Sequence, residues 1–199
     1  MPLVIGAGPS VDDYDKLHLS NLARCAFTFG VNHAAFDFPC DVVVAMDYTF
    51  LRDNKEQLKE MDKPIVTREW SGNESLGLDL IELPNKMGIK YKFSGMVAAK
   101  LSDALSLHGS KRKSYIIGID GGIGRYKGHK GVGPSDYTNA IVGDYEALGL
   151  RNTINLGMRS RISCWPKYSK LPKISKIIVD HVVKTLSIAW IRSNAAKVL

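Results

Sequence analysis

Short runs of uniformly apolar residues recur along the chain, and most of them stop at a glycine or an acid. Leu3–Ile5 leads into GAGPS at 6–10, and CAFTFGVNHA (25–34) ends near Gly30 with Asn32 just beyond. CDVVVAMD (40–47) runs into Asp47, and KPIVTREW (63–70), KSYIIGID (113–120) and RNTINLG (151–157) repeat the pattern. Runs that are apolar throughout, rather than alternating, predict strands covered on both faces. Between them the spacing turns helical. TFLRDNKEQLKEM (49–61) has the charge spacing of an exposed helix. SGMVAAKLSDALSLHG (94–109) places Met96, Val97, Leu101 and Leu105 at helical spacing, with Ser94 as N-cap and Gly109 as stop. DYTNAIVGDYEALG (136–149) reads as a helix despite Gly143, and the segment from Ser175 to the end is helical by pattern. Residues 71–90 mix Gly, Asn and Pro and receive no assignment, while residues 121–134, with six glycines in fourteen, form a loop.

Strands alternating with helices predict an α/β protein with a mainly parallel sheet and helices on both faces. No linker, repeat or low-complexity segment divides the chain. A single domain over 1–167 is therefore expected, with a basic C-terminal helix in 168–199 packed on it. In such sheets ligands bind outside the carboxyl ends of the strands. That rule selects Gly6–Ser10, Asn32, Asp47, Asp120 and the glycine loop containing His129.

Composition narrows the class. At 199 residues, 45% hydrophobic and 24% charged, the chain has the make-up of a globular protein with a sizeable core. No apolar run approaches the roughly 18 residues of a membrane span, and no secretory leader is recognisable. Three scattered cysteines, Cys25, Cys40 and Cys164, argue against a disulfide framework or a zinc site and for a reducing, cytoplasmic setting. Charge is uneven: residues 151–199 hold ten Lys or Arg against the single acid Asp180, whereas residues 1–150 hold 17 against 19. A basic tail suits an anionic partner, a membrane surface or nucleic acid, and equally suits a solvated face. Its helical pattern puts Ile174, Ile177, Ile178, Val182, Leu186 and Trp190 on one apolar face, flanked by Lys173, Lys176, Lys184 and Arg192. Such a face lies on an anionic membrane, closes the sheet, or joins a second copy in a homo-oligomer.

The candidate chemistry sits in the loops. GAGPS is neither GxGxxG nor a Walker loop. Gly6 and Gly8 allow close backbone approach, Pro9 can open a helix, and Ser10 offers a hydroxyl to a phosphate; a plain tight turn has the same composition. Asp47 and Asp120 could hold a divalent cation such as Mg²⁺, bind ribose or base, or cap the loops that follow them. His129, in YKGHKG, titrates near neutrality and is the acid–base candidate, with Tyr126 and Lys127 beside it to stabilise a leaving phosphate. Arg159, Arg161 and Lys167, around Trp165, could clamp a phosphate or simply belong to the basic tail. Cys164 has no evident histidine partner and is not a nucleophile candidate.

Taken in order, GAGPSVDDYDKL, FGVNHA, VVVAMD, FSGMVAAKLSDALSLHG with SYIIGID, YKGH and INLGMRSRISCWPK resemble a Rossmann-like family over residues 3–167. That family includes bacterial lipooligosaccharide-type sialyltransferases, 6-hydroxymethylpterin diphosphokinase-like proteins and compact phage proteins. The resemblance implies that Gly8–Ser10 run along the nucleotide phosphates and ribose, and that Asn32, Ser94 and Gly95 face the nucleotide. It also implies that His129 is the general base, with Tyr126 assisting the leaving phosphate. Two departures are plain: Ala7 stands where the sialyltransferases carry asparagine in GNGPS, and Asp47 stands at another asparagine. Three functions follow as expectations. The first is a glycosyltransferase moving a sugar from a nucleotide-sugar to a hydroxyl acceptor, for which no cofactor is specified. The second is a pterin-type diphosphokinase using ATP and Mg²⁺ through Asp47 and Asp120. The third is a non-catalytic phage nucleotide-binding or scaffold protein in the host cytoplasm.

Overall fold

The computed structural model describes residues 1–86, 93–109, 113–120, 127, 139–157, 160–162, 166, 167, 172 and 181–199. Its centre is a sheet of β1 (Pro2–Ile5), β2 (Phe27–Val31), β3 (Val42–Val44), β4 (Ile65–Arg68), β5 (Leu80–Leu83), β6 (Ser114–Ile117) and β7 (Thr153–Asn155). The spatial order is β5-β4-β3-β2-β1-β6-β7, and every neighbouring pair is parallel. The helices are α1 (Lys16–Cys25), α2 (Ala34–Asp37), α3 (Tyr48–Asp53), α4 (Lys55–Met61), α5 (Ser94–Gly109), α6 (Asn139–Glu146) and α7 (His181–Val198). This is the expected α/β architecture, Rossmann-like, with helices on both faces.

Strand alternation explains why apolar runs are needed. Leu3 and Ile5 of β1 pack with Leu19 and Leu22 of α1, while Val4 between them packs with Phe29 and Met96 on the other face. In β3, Val43 joins Leu51 and Leu58 of α3 and α4, whereas Val42 and Val44 face the α5 side. Each such side chain, fully removed from water, contributes about 1.5–3 kcal/mol. β5 alternates between buried and exposed positions, with Ile81 and Leu83 buried and Glu82 exposed. It lies at the edge of the sheet in the stretch left unassigned from sequence.

The single helix expected over 49–61 is two. Asn54 turns its side-chain amide back onto the Phe50 carbonyl at 2.8 Å and leaves helical geometry at φ −114°. This is the local competition with the backbone that asparagine introduces. α1, not foreseen, starts where the Asp15 carboxylate accepts from the His18 amide at 2.8 Å.

α7 corrects the expected tail face. Val182 and Leu186 are each 64% exposed, whereas Ile191 and Ala195 face the core, with Ile188 and Trp190 packed beside them. Ile174, Ile177, Ile178, Lys173 and Lys176 lie outside the described residues. Two of the flanking cations serve the body of the protein: Lys184 pairs with Asp41 at 2.9 Å and bonds the Arg24 carbonyl, and Arg192 pairs with Asp79. Among the described residues no helix is long and apolar enough to cross a membrane.

Candidate functional site

Strand order reverses at β1, so the loops after β1 and β6 flank the crevice where parallel sheets bind ligands. Those loops meet backbone to backbone. The Gly6 amide donates to the Ile117 carbonyl and the Gly8 amide to the Gly118 carbonyl, both at 2.8 Å. The Ser10 amide donates to Asp120 Oδ2 at 2.8 Å, and the Gly118 amide donates back to Ser10 Oγ at 3.0 Å. A Cβ on Gly6 would strike the Gly118 carbonyl, and one on Gly118, which has φ +73°, would strike Gly6. Close contact between two strand ends therefore requires the glycines of GAGPS. Pro9 opens a single 3-10 turn, Pro9–Asp13. A phosphate seated along Gly8–Ser10 would compete with Gly118 and Asp120 for the amides.

Asp120 is 3% exposed. Burial holds its carboxyl above the usual range; the Ser10 amide and hydroxyl oppose the shift, Asp13 adds to it and Lys167 counters it. Its Oδ1 has no hydrogen-bond partner among the described residues. Gly157 closes over that oxygen: a Cβ there would lie 2.7 Å from both Asp120 Oδ1 and Ser10 Oγ. The segment after β7 completes the enclosure. Ser160 Oγ donates to the Ile119 carbonyl at 3.2 Å, the Arg161 amide to the Asp120 carbonyl at 3.2 Å, and Lys167 Nζ to the Ser160 carbonyl at 2.7 Å.

A second cluster lies after β2 and β3. The Met46 amide donates to Ser94 Oγ at 2.9 Å, and Ser94 Oγ donates to Asn32 Oδ1 at 3.0 Å. Because Ser94 has a single proton to give, the relay orients the Asn32 amide, and Nδ2 with its two hydrogens faces away from Ser94. Asn32 sits at φ +49°, a left-handed conformation that asparagine tolerates better than most residues. Ser94 opens α5, and Gly95 follows in close contact: a Cβ would lie 2.6 Å from Tyr145 Oη and 2.9 Å from Ile119 Cδ1. Ile119 Cδ1 also lies 2.5 Å from where a Gly6 Cβ would be, so one side chain joins the two clusters. Phe93 stacks on Tyr145 at 6.4 Å.

The structure thus brings Gly6, Gly8, Pro9, Ser10 and Asp120 together, and Asn32, Ser94 and Gly95 together. Asp47 joins neither. It is exposed and caps α3, its Oδ1 accepting from the Thr49 amide at 2.9 Å and the Thr49 hydroxyl at 2.6 Å. Mg²⁺ takes several oxygens converging in octahedral array. An exposed cap and a carboxylate sealed beneath Gly157 do not supply that set, and among the described residues no three His, Cys, Asp or Glu side chains gather as a metal site. His129, Tyr126, Arg159, Cys164 and Trp165 lie outside the described residues. Lys127 is described: its amide donates to Asp12 Oδ2 at 2.7 Å, and its carbonyl accepts from Lys16 Nζ at 3.2 Å. Cys40 is no nucleophile, since burial and then Asp41 push its thiol up to about 12. Ile119, Tyr145 and Gly157 went unforeseen. IIGID advertises a strand end, but nothing local marks the residue after Gly118 as the wedge. No family model, curated protein or solved structure matches the chain.

Proposed function

We infer that the carboxyl edge of the sheet binds a nucleotide, in a nucleotide-dependent transferase that moves a sugar from a nucleotide-sugar to a hydroxyl acceptor. The observation that carries this reading is the Met46–Ser94–Asn32 relay beside the strand-order reversal. The relay holds a residue in an uncommon backbone conformation and presents two amide donors for an acceptor such as a ribose or phosphate oxygen. The start of α5 lies beside it, and the amides of a helix's first turn with the macrodipole favour negative charge. Chemically, His129 takes the proton of the acceptor hydroxyl as that oxygen bonds to the sugar carbon. The bond from that carbon to phosphate oxygen breaks, and the nucleotide leaves with the electron pair, assisted by Tyr126. Lys127, two residues before His129, is tied to Asp12 in the turn that follows GAGPS, which favours this loop as the source of the base.

The test is a thermal-shift series with CMP, UDP, GDP, ADP, ATP and their sugars, with and without Mg²⁺. One nucleotide raises the melting temperature in a concentration-dependent way, and Asn32→Leu removes the increment. His129→Ala abolishes turnover while leaving that increment within a few-fold in apparent affinity. No increment with any nucleotide overturns the reading.

A further inference from the structure

The loops after β1, β6 and β7 meet at the Asp120 carboxyl, and they do not hold it equally. From β1 the Gly6, Gly8 and Ser10 amides each donate across at 2.8 Å, the last to Asp120 Oδ2, and the Ser10 hydroxyl bonds the same carboxyl. From β7 the hold is looser. Among the described residues Gly157 covers Oδ1 by contact alone. Its amide donates to Asn155 Oδ1 at 2.8 Å and its carbonyl accepts from the Ser160 amide at 3.0 Å, both within its own segment. Ser160 Oγ reaches the Ile119 carbonyl at 3.2 Å, long for an O–H···O bond. The chain on either side is fixed: Tyr14 donates to the Leu156 carbonyl at 2.8 Å, the Leu156 amide donates to the Ile116 carbonyl at 2.7 Å, and Ile162 is fully buried. Oδ1 has no hydrogen-bond partner among the described residues, so an ionised carboxylate forgoes there what water supplies.

We propose that Gly157 and Ser160 form a proton-operated latch: with Asp120 protonated Gly157 stays closed over the carboxyl, and with Asp120 ionised it lifts and lets water reach Oδ1. The β1 side stays in place, because the Ser10 amide and hydroxyl favour the anion. Burial is the largest influence and holds the proton on, Asp13 in the turn after GAGPS does the same, and Lys167 beyond β7 draws it off. Asp12, beside Asp13, accepts from the Lys127 amide, and Tyr14 keeps its own proton, held by burial and then by Asp13. Arg161, from the same side as Lys167, is exposed and meets Asp120 through its backbone amide. Opening hands to water a carboxyl whose ordinary pKa is 3.8. The open fraction therefore grows as pH rises from about 4, by up to about tenfold per unit, and levels off once the closed form too has lost its proton. The uncovered anion lies beside Gly8–Ser10 at the strand-order reversal, where it opposes a phosphate. As a brake on nucleotide binding at higher pH the latch deepens the transferase reading and rests on it; as a motion it stands apart.

The experiment is amide hydrogen exchange on the full chain without nucleotide, read by NMR from about pH 4 to about pH 8 and corrected for intrinsic rates. Protection of the Gly157 and Arg161 amides falls as pH rises and then levels. The Asn152 amide, held by the fully paired Asp103, sets the baseline. Asp120→Asn, which keeps an acceptor for the Ser10 amide, removes the fall. Lys167→Gln carries the fall to higher pH, and Asp13→Asn ends it at lower pH. A purely structural turn shows neither shift, and these two variants carry the test if Asp120→Asn does not fold. Protection that tracks Asn152 at every pH overturns the latch. So does an undiminished fall in Asp120→Asn, or a levelling point that both charge variants leave in place. A working latch without any nucleotide-dependent melting shift removes the transferase reading alone. A nucleotide shift without the pH-dependent opening removes the latch alone.

Discussion

Two aspartates, Asp103 and Asp120, are each 3% exposed, and they sit at opposite edges of one sheet. Asp103, in the middle of α5, reaches the amino ends of β6 and β7. Its Oδ1 accepts from the Asn152 amide at 2.8 Å and the Thr153 hydroxyl at 2.7 Å, and its Oδ2 from the Arg151 amide at 3.2 Å. Around it Ser106 bonds the Asp103 carbonyl, Asn152 bonds Ser106, and Ser102 meets Ser114. Every oxygen has a donor, and the network pins a helix to two strand starts. Among the described residues Asp120, at the carboxyl edge, has donors on one oxygen only, and its charge is opposed by burial. The lesson is that burial of an acid says little by itself. A carboxylate whose lone pairs are filled by amides and a hydroxyl is architecture, and one left half-paired at a strand-order reversal is a candidate for function.

The largest expected effect breaks the architectural side. Asp103→Ala strands three donors in the interior and should lower stability by about 3 kcal/mol or more, read as a fall in the urea midpoint at unchanged slope. The nucleotide-dependent melting increment should survive at temperatures where the variant stays folded. Next comes the enclosure of Asp120. Gly157→Ala drives a methyl to 2.7 Å from Asp120 Oδ1 and Ser10 Oγ, closer than van der Waals contact allows, and should cost about 1–3 kcal/mol. Gly143→Ala, on α6 with nothing within 4 Å of the added carbon, should instead be neutral or stabilising by up to about 1 kcal/mol.

Protonation sharpens the contrast further. Asp120 has a folded-state pKa above its ordinary 3.8, so on raising the pH the unfolded chain releases this proton first. Its favourable contribution is therefore complete below 3.8 and is lost as pH climbs through the higher folded value. Asp120→Asn removes this loss, so the stability difference between variant and parent should move in the variant's favour as pH rises from about 4. Urea titrations at several pH values measure it, and a difference independent of pH would contradict the assignment. The smallest effect belongs to the tail: Arg192→Ala breaks an ion pair whose side chains are 43% and 49% exposed, worth at most about 1 kcal/mol and shrinking with added salt.

The strands were legible because each is a run of residues that must leave water on both faces, and that demand is written locally in KSYIIGID and CDVVVAMD. α5 was equally legible from Ser94 to Gly109. β5 escaped because an edge strand with one wet face, Leu80–Leu83, is too short to show its alternation. The break at Asn54 depended on one side-chain hydrogen bond competing with a continuing helix. Of the candidate site, Asn32 could be listed from its strand-end position, while Ser94 read locally only as a helix cap and entered the site through the family resemblance. That they share a proton across 62 residues of sequence could not.

By itself the sequence determined where strands stop, which loops carry glycine, histidine and acids, and that the sheet is parallel. These are consequences of local periodicity and of what each side chain can bury. Only tertiary structure decided what those loops touch. It set Gly6 and Gly8 against Gly118, made Asp47 a helix cap rather than a partner of Asp120, and sealed Asp120 beneath Gly157. Close approach, desolvation and hydrogen-bond pairing are properties of two distant segments at once, and no window along one chain contains both.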